Sequence, residues 1–271
     1  MFTRVVIAEA LKSLKVYFFS GRTLVWALVL PLGNGLYLYF LYLPFATKSV
    51  NLQFNATTYT IDLVGFTIIG QLLYSFFTMM LLAGASFEAE RWQGTLEALL
   101  LSPANRIAIL LGEALANAVN YTWMLIALVL SWVAFIRVSI LVTDLFALFT
   151  SLALSYLAMV ALGMCLETVG IYSRRGSIFT AWLQEPVMFL SGQIFPLQSM
   201  PGFLLPFSYL LPLTFGLMAV RLTLLGGASM HEVAVPLVAL AIMTIVFLIL
   251  ARVLVNYAER RAKAKATLTQ F

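Results

Sequence analysis

Six stretches of this chain, 24–45, 61–87, 107–136, 145–171, 177–194 and 233–255, are predominantly apolar. Each comes close to the roughly 20 residues that an α-helix needs to cross a bilayer. Hydrocarbon offers no water to backbone N–H and C=O groups, so only helices and closed barrels can span it. Barrel strands alternate apolar and polar residues, whereas these runs are continuous, and the sequence therefore predicts helices. Composition agrees: 62% of the 271 residues are hydrophobic and only 10% charged, against about a quarter charged in ordinary soluble domains. The expected fold class is an all-α membrane protein with six transmembrane helices.

A seventh stretch, 203–225, is long enough to span but contains Pro206, Pro212 and Arg221, each costly in a lipid-facing helix. It reads instead as part of an outer re-entrant hairpin, 195–232, between the fifth and sixth spans. Charge placement supports the choice, because cytoplasmic flanks carry the Lys/Arg excess. With six spans and both termini inside, Arg4, Lys12, Lys15, Arg22, Arg91, Arg106, Arg174, Arg175, Arg252, Arg260, Arg261, Lys263 and Lys265 all face the cytoplasm. Only Lys48, Arg137 and Arg221 fall outside. The net charge of +5 thus reads as orientation and attraction to anionic headgroups, with no nucleic-acid role. The expected location is a bacterial inner membrane.

Before the first span, Val6, Ile7, Ala10, Leu11, Leu14, Tyr17 and Phe18 recur at helical spacing, with Arg4, Glu9, Lys12, Lys15 and Ser20 on the other face. This predicts an amphipathic interfacial helix within 1–22, followed by the spans at 24–255 and a basic cytoplasmic tail at 256–271, all one membrane domain. Cys165 and His231 stand alone, without neighbours at metal-ligand spacing.

Active transport needs an energy source, and the chain has no G-x-x-x-x-G-K-[ST] loop. It does have an unusual inner loop, FEAERWQGTLEALLLSPANR, at 87–106. Gly94 can break the preceding helix, Thr95 can cap a short new one, and Leu96, Leu99 and Leu100 give that helix an apolar side. Ser102 and Pro103 are a cap and first-turn proline that restart a helix. A knob of this design suits docking to a soluble partner.

The same loop resembles the E-R-x-x-G-T-L-E-x-L-L-x-S-P signature of ABC-2 type transporter permeases, matched by Glu90, Arg91, Gly94, Thr95, Leu96, Glu97, Leu99, Leu100, Ser102 and Pro103. A second segment, SGQIFPLQSMPGFLLPFSYLLPLTFGL at 191–217, is similar to the family's sequence after the fifth span. The resemblance implies a permease that dimerises and pairs with two copies of a separate ATP-binding subunit docked on the short inner helix. ATP and magnesium are then expected on that subunit, with no cofactor in this chain and membrane lipids as its surroundings. Drug, nodulation-factor and polysaccharide or lipid-linked glycan permeases share this architecture, and the wording around Gly94 looks most like the first two.

Ionisable groups within spans are expensive and usually face a bundle interior or a water-filled cavity. Glu185, beside Pro186 in the fifth span, is either a wall of the translocation path or half of a structural pair with Gln71, Asn120 or another polar group. Glu113, Asn117 and Asn120 share one face of the third span and suit helix–helix hydrogen bonding. Two other function classes compete with the ATP-driven exporter. An ion-coupled secondary transporter would use Glu185 at mid-membrane, and an intramembrane enzyme would need an acid–base pair, nucleophile or metal cluster that no spacing provides.

Overall fold

The computed structural model describes residues 2–18, 63–83, 142–172 and 176–264, together with isolated positions between 29 and 122. Every regular element among the described residues is helical. They are α1 (Phe2–Phe18), α2 (Leu63–Ala83), α3 (Leu145–Tyr172), α4 (Gly176–Leu190), a 3-10 turn (Leu197–Ser199), α5 (Leu205–Ser208), α6 (Pro212–Leu225) and α7 (Ala234–Ala264). Among these, Leu145–Leu166 and Ala234–Tyr257 are long and apolar enough to cross a bilayer, while Gly65–Thr78 and Pro212–Leu225 form shorter apolar helices.

The apolar runs become helices that bury one side and leave the other bare. α3 and α7 form the most extensive pair, and α6 wedges against both and against α2. Phe77 of α2, Met159 and Met164 of α3, Leu213, Leu217 and Val220 of α6, and Ala251 and Val255 of α7 share one buried cluster. Small residues permit the closest approaches: a side chain on Gly216 would place its Cβ 2.8 Å from Ser155 Oγ and 3.1 Å from Ser155 Cβ. Buried hydroxyls are satisfied locally. Ser151, Ser155, Thr223 and Thr244 each donate to the carbonyl four residues earlier, which spares α3, α6 and α7 unpaired polar groups.

Contacts at the helix ends fix the course of the segment between α4 and α7. Thr143 Oγ1 donates to the Gly227 carbonyl, and Asp144 Oδ2 accepts from the Met230 amide at 3.2 Å. The starts of α3 and α7 therefore lie side by side. Gly216, by contrast, meets Ser155, eleven residues further into α3 and so about 16 Å deeper. α6 thus climbs from the bundle's interior toward that same end, where Arg221 reaches the Gly192 carbonyl just past α4. Its 14 residues give about 21 Å of helix, short of the roughly 30 Å of a hydrocarbon core. Both ends of the 191–233 segment consequently lie at one end of the bundle.

Three expectations change in detail. Arg221, assigned by charge counting to an outer flank, is only 6% exposed, because α6 carries it inside the bundle. α7 continues to Ala264 with no break at 255, since the residues after it are good helix formers. α1 does more than cover a membrane surface: a Cβ on Gly112 would lie 2.6 Å from the Val6 carbonyl oxygen and 2.8 Å from Glu9 Cβ, so α1 is seated on that backbone. Ser13 is buried, while Ile7, Leu11, Arg4, Lys12 and Lys15 remain exposed. Most of the first and third spans, the 46–60 loop, Glu90–Pro103 apart from Gly94, Asn117, Asn120 and the last residues of the tail lie outside the described residues.

Asp144 caps α3, its Oδ1 accepting from the amides of Phe146 at 2.9 Å and Ala147 at 3.1 Å. The Ala147 amide, helped by those of Met230 and Phe146 and opposed by desolvation, holds this carboxyl below the usual carboxylate range. A depressed native value means stability that is present above the unfolded value and lost as pH falls through the native one. Asp144→Ala is therefore expected to lower the melting temperature of the purified protein at pH 7, and the gap to wild type to close as the pH drops below about 3.9. A gap that persists undiminished in acid would show that the charge is not what holds α3 to α7. Gly216→Val is expected to cost about 1–3 kcal/mol by forcing α6 off α3, read as a lower melting temperature with helicity retained.

Candidate functional site

The fifth apolar run folds as α4 and stays helical through Pro186 to Leu190. Val187 is buried against the core, with Leu183 and Met188 partly so. Ala181, Trp182, Glu185, Pro186 and Phe189 are exposed. Those five positions follow the i, i+1, i+4, i+5, i+8 rule and form one stripe along the helix. The Tyr74 hydroxyl donates to the Gln184 carbonyl at 3.2 Å, which sets Glu185 level with the middle of α2. A carboxylate thus stands uncovered halfway along an apolar bundle. Pro186 has no N–H to donate to the Trp182 carbonyl, four residues back, so a second acceptor belongs to the same stripe.

Gln71 is not paired with Glu185. Its Oε1 accepts from Gln193 Nε2 at 2.9 Å and its Nε2 donates to Ser75 Oγ at 3.3 Å, all within the buried interior. The network continues to Arg221, whose Nη1 donates to the Gly192 carbonyl at 2.7 Å. Its Nη2 donates to the carbonyls of Gln193 at 2.8 Å and Phe66 at 3.1 Å. The guanidinium carbon also lies 3.3 Å from the Phe66 ring centroid, a cation–π contact in a dry setting. Gly70 makes room: a Cβ there would stand 2.5 Å from Arg221 Nη2 and 2.6 Å from the Gln193 carbonyl oxygen. Gly192 turns with φ 78°, in the left-handed region that favours glycine. Arg221 Nε and Gln193 Oε1 have no hydrogen-bond partner.

Sequence reasoning named Glu185, Gln71 and Asn120 as candidates for the translocation path, of which Asn120 lies outside the described residues, and it did not single out Gln193 or the inward course of Arg221. The available signal was an arginine inside an apolar, proline-bounded helix, which cannot face lipid cheaply. Of the inner-loop residues, only Gly94 is described; it sits exposed in a turn with φ 74°, the backbone conformation that a helix break at this glycine needs. Glu113 is buried next to Gly112, where α1 crosses.

Because three backbone carbonyls depend on one guanidinium, Arg221→Met is expected to destabilise the protein by about 1–3 kcal/mol for each acceptor left unsatisfied, and Arg221→Lys by less. Thermal denaturation in detergent, followed by size-exclusion chromatography, reads this. A melting temperature unchanged in both variants would show that the carbonyls find other donors. Gly70→Ala should mimic Arg221→Met, since the added methyl displaces the same group.

A search among curated proteins finds no match to the chain. The family model of the ABC-2 type transporter, in contrast, matches residues 5–225, from α1 through α6. That family's membrane domain is the transmembrane permease part of ABC transporters and lacks the nucleotide-binding domain. The span-length apolar helices, the inner-loop signature and this match over most of the sequence converge: the chain is a multi-pass membrane protein that belongs to the ABC-2 type transporter family, as its permease component.

Proposed function

We propose that the chain is the membrane half of an ATP-driven exporter, working as a pair of identical copies with two copies of a separate ATP-binding subunit, in a bacterial inner membrane. It crosses the bilayer six times with both termini in the cytoplasm, and the 191–233 segment is an outer re-entrant cap. The observation that carries this reading is the segment FEAERWQGTLEALLLSPANR in an ABC-2 chain that has no nucleotide loop of its own. Work must then arrive through a protein contact. The cytoplasmic alternatives are poor: α1 is already seated on residue 112, and the stretch 173–176 between the fourth and fifth apolar runs is very short. The inner loop alone combines leucines, a cap and charges that can fix register against a partner.

The exposed α4 stripe supplies the other end of the mechanism. A carboxylate facing hydrocarbon at mid-span costs about 2.5–3.5 kcal/mol or more, so Glu185 belongs against water or a second copy. A path between two copies, lined by this stripe and opened when ATP closes the partner subunits, satisfies it. An amphipathic, lipid-like or drug-like substrate leaves the cytoplasm or inner leaflet by that route. An ion-coupled transporter would also place Glu185 there; transport that requires ATP, unaffected by collapse of the proton gradient, separates the two.

Replacing Leu96 and Leu100 with Asp puts unpaired charge into the docking contact, at a cost of a few kcal/mol. The expected result is at least about a tenfold loss of coupled transport with normal membrane insertion. Co-purification with the ATPase subunit and transport in lipid vesicles measure it, and a double variant that keeps both partner and rate would move the coupling contact elsewhere. For topology, Lys265→Cys in a Cys165→Ala background is expected to resist an impermeant thiol reagent applied to intact cells. Efficient labelling would invert the assignment.

A further inference from the structure

The same stripe of α4 carries chemistry enough to name what it binds. Trp182 is 78% exposed and Phe189 50%, three residues before and four after Glu185, about one helical turn to either side. The carboxylate therefore lies between two uncovered aromatic side chains. With Pro186 depriving the Trp182 carbonyl of its usual helical donor, the stripe presents two kinds of oxygen acceptor and two π systems, and no basic residue. Carboxylates form their strongest hydrogen bonds with charged N–H donors, and aromatic faces attract cations. The buried cation of the bundle, Arg221, is committed elsewhere, with its Nη atoms on carbonyls 2.7–3.1 Å away and its ring contact to Phe66.

We propose that this face selects lipophilic nitrogen cations, apolar molecules whose positive charge is carried on, or conjugated with, N–H groups. The inference rests on the reading of the α4 stripe as a wall of the path. An anionic headgroup or glycan phosphate of equal size would be disfavoured by the same carboxylate, because nothing on the stripe offsets the repulsion.

The test uses the full-length chain in phosphatidylcholine nanodiscs, with binding of ethidium, an apolar cation with amino N–H groups, and of neutral Nile red followed by fluorescence polarisation after subtraction of empty discs. Glu185→Gln is expected to weaken ethidium binding by about tenfold or more and to leave Nile red unchanged, while Glu185→Asp keeps the preference for ethidium. Equal weakening of both probes, or ethidium binding untouched by Glu185→Gln, overturns the proposal. A separate arm tests the underlying reading: Ala181→Cys in a Cys165→Ala background should react with an uncharged hydrophilic maleimide. If it reacts and the cation preference is missing, the path stands and the substrate class falls. If it does not react, the path assignment fails and takes the proposal with it.

Discussion

Backbone polar groups placed in hydrocarbon need partners from the protein itself, and the segment around α6 is where this constraint is hardest to meet. A helix of 14 residues ends short of the full bilayer, so its lower end and the chain leading to it sit among apolar side chains. The sequence answers with side chains that act as surrogate backbone. Thr214 Oγ1 donates to the Ser208 carbonyl at 2.7 Å and Ser208 Oγ to Leu204 at 3.3 Å, closing the bend between α5 and α6. Arg221 does the same on a larger scale, taking up carbonyls of α2 and of the turn after α4. Only a forked, multiply donating group can serve acceptors on separate elements at once, which is why lysine is a poor substitute there.

That knot divides the polar residues at membrane depth into two populations. Gln71, Ser75, Gln193 and Arg221 form a network in the interior, bonded to each other and to backbone, with Gln193 Oε1 and Arg221 Nε left without a partner. Glu185 stands apart on the far side of α4, exposed. Gln71, grouped with Glu185 on sequence grounds, is bonded within this network to Gln193 and Ser75.

How much of this was legible beforehand depended on whether a property is local. Runs of about 20 apolar residues announce helices wherever they occur, and the ends of α2, α3 and α4 fall close to those expected because loops there are marked by charge, Pro or Gly. Pro206 and Pro212 marked the interruption between α4 and α7, and the structure puts a bend and a short helix there. Depth and partner choice are not local. Counting Arg221 with the outer charges ignored that an arginine on a half-length helix can turn inward when Gly70 leaves it space. Gly70 does not look special in sequence, since it needs Gln193 and Arg221, both more than about 120 residues further along, to acquire meaning. The same limit applies to Gly112, whose missing side chain lets α1 sit on it.

The packing also ranks the helices by how firmly they are held. α3 and α7 lie along each other for most of their length and α6 is locked into both, with alanines at 147, 158 and 219 fully buried where they meet. α4 makes much slighter contact, mainly through Val187 and its neighbours and through the Tyr74 hydroxyl. Its proline removes one internal hydrogen bond as well. Elements with few buried contacts open and shift at lower free energy than the core does. The helix that presents Glu185 is therefore held less firmly than α3, α6 and α7 among the described residues. Its C-terminal end runs directly into Gly192 and Gln193, the residues whose carbonyls Arg221 holds, so any displacement of α4 must stretch that knot before it moves α6. With an anchor at its C-terminal end and few lateral contacts elsewhere, α4 is held chiefly where it meets the Arg221 knot.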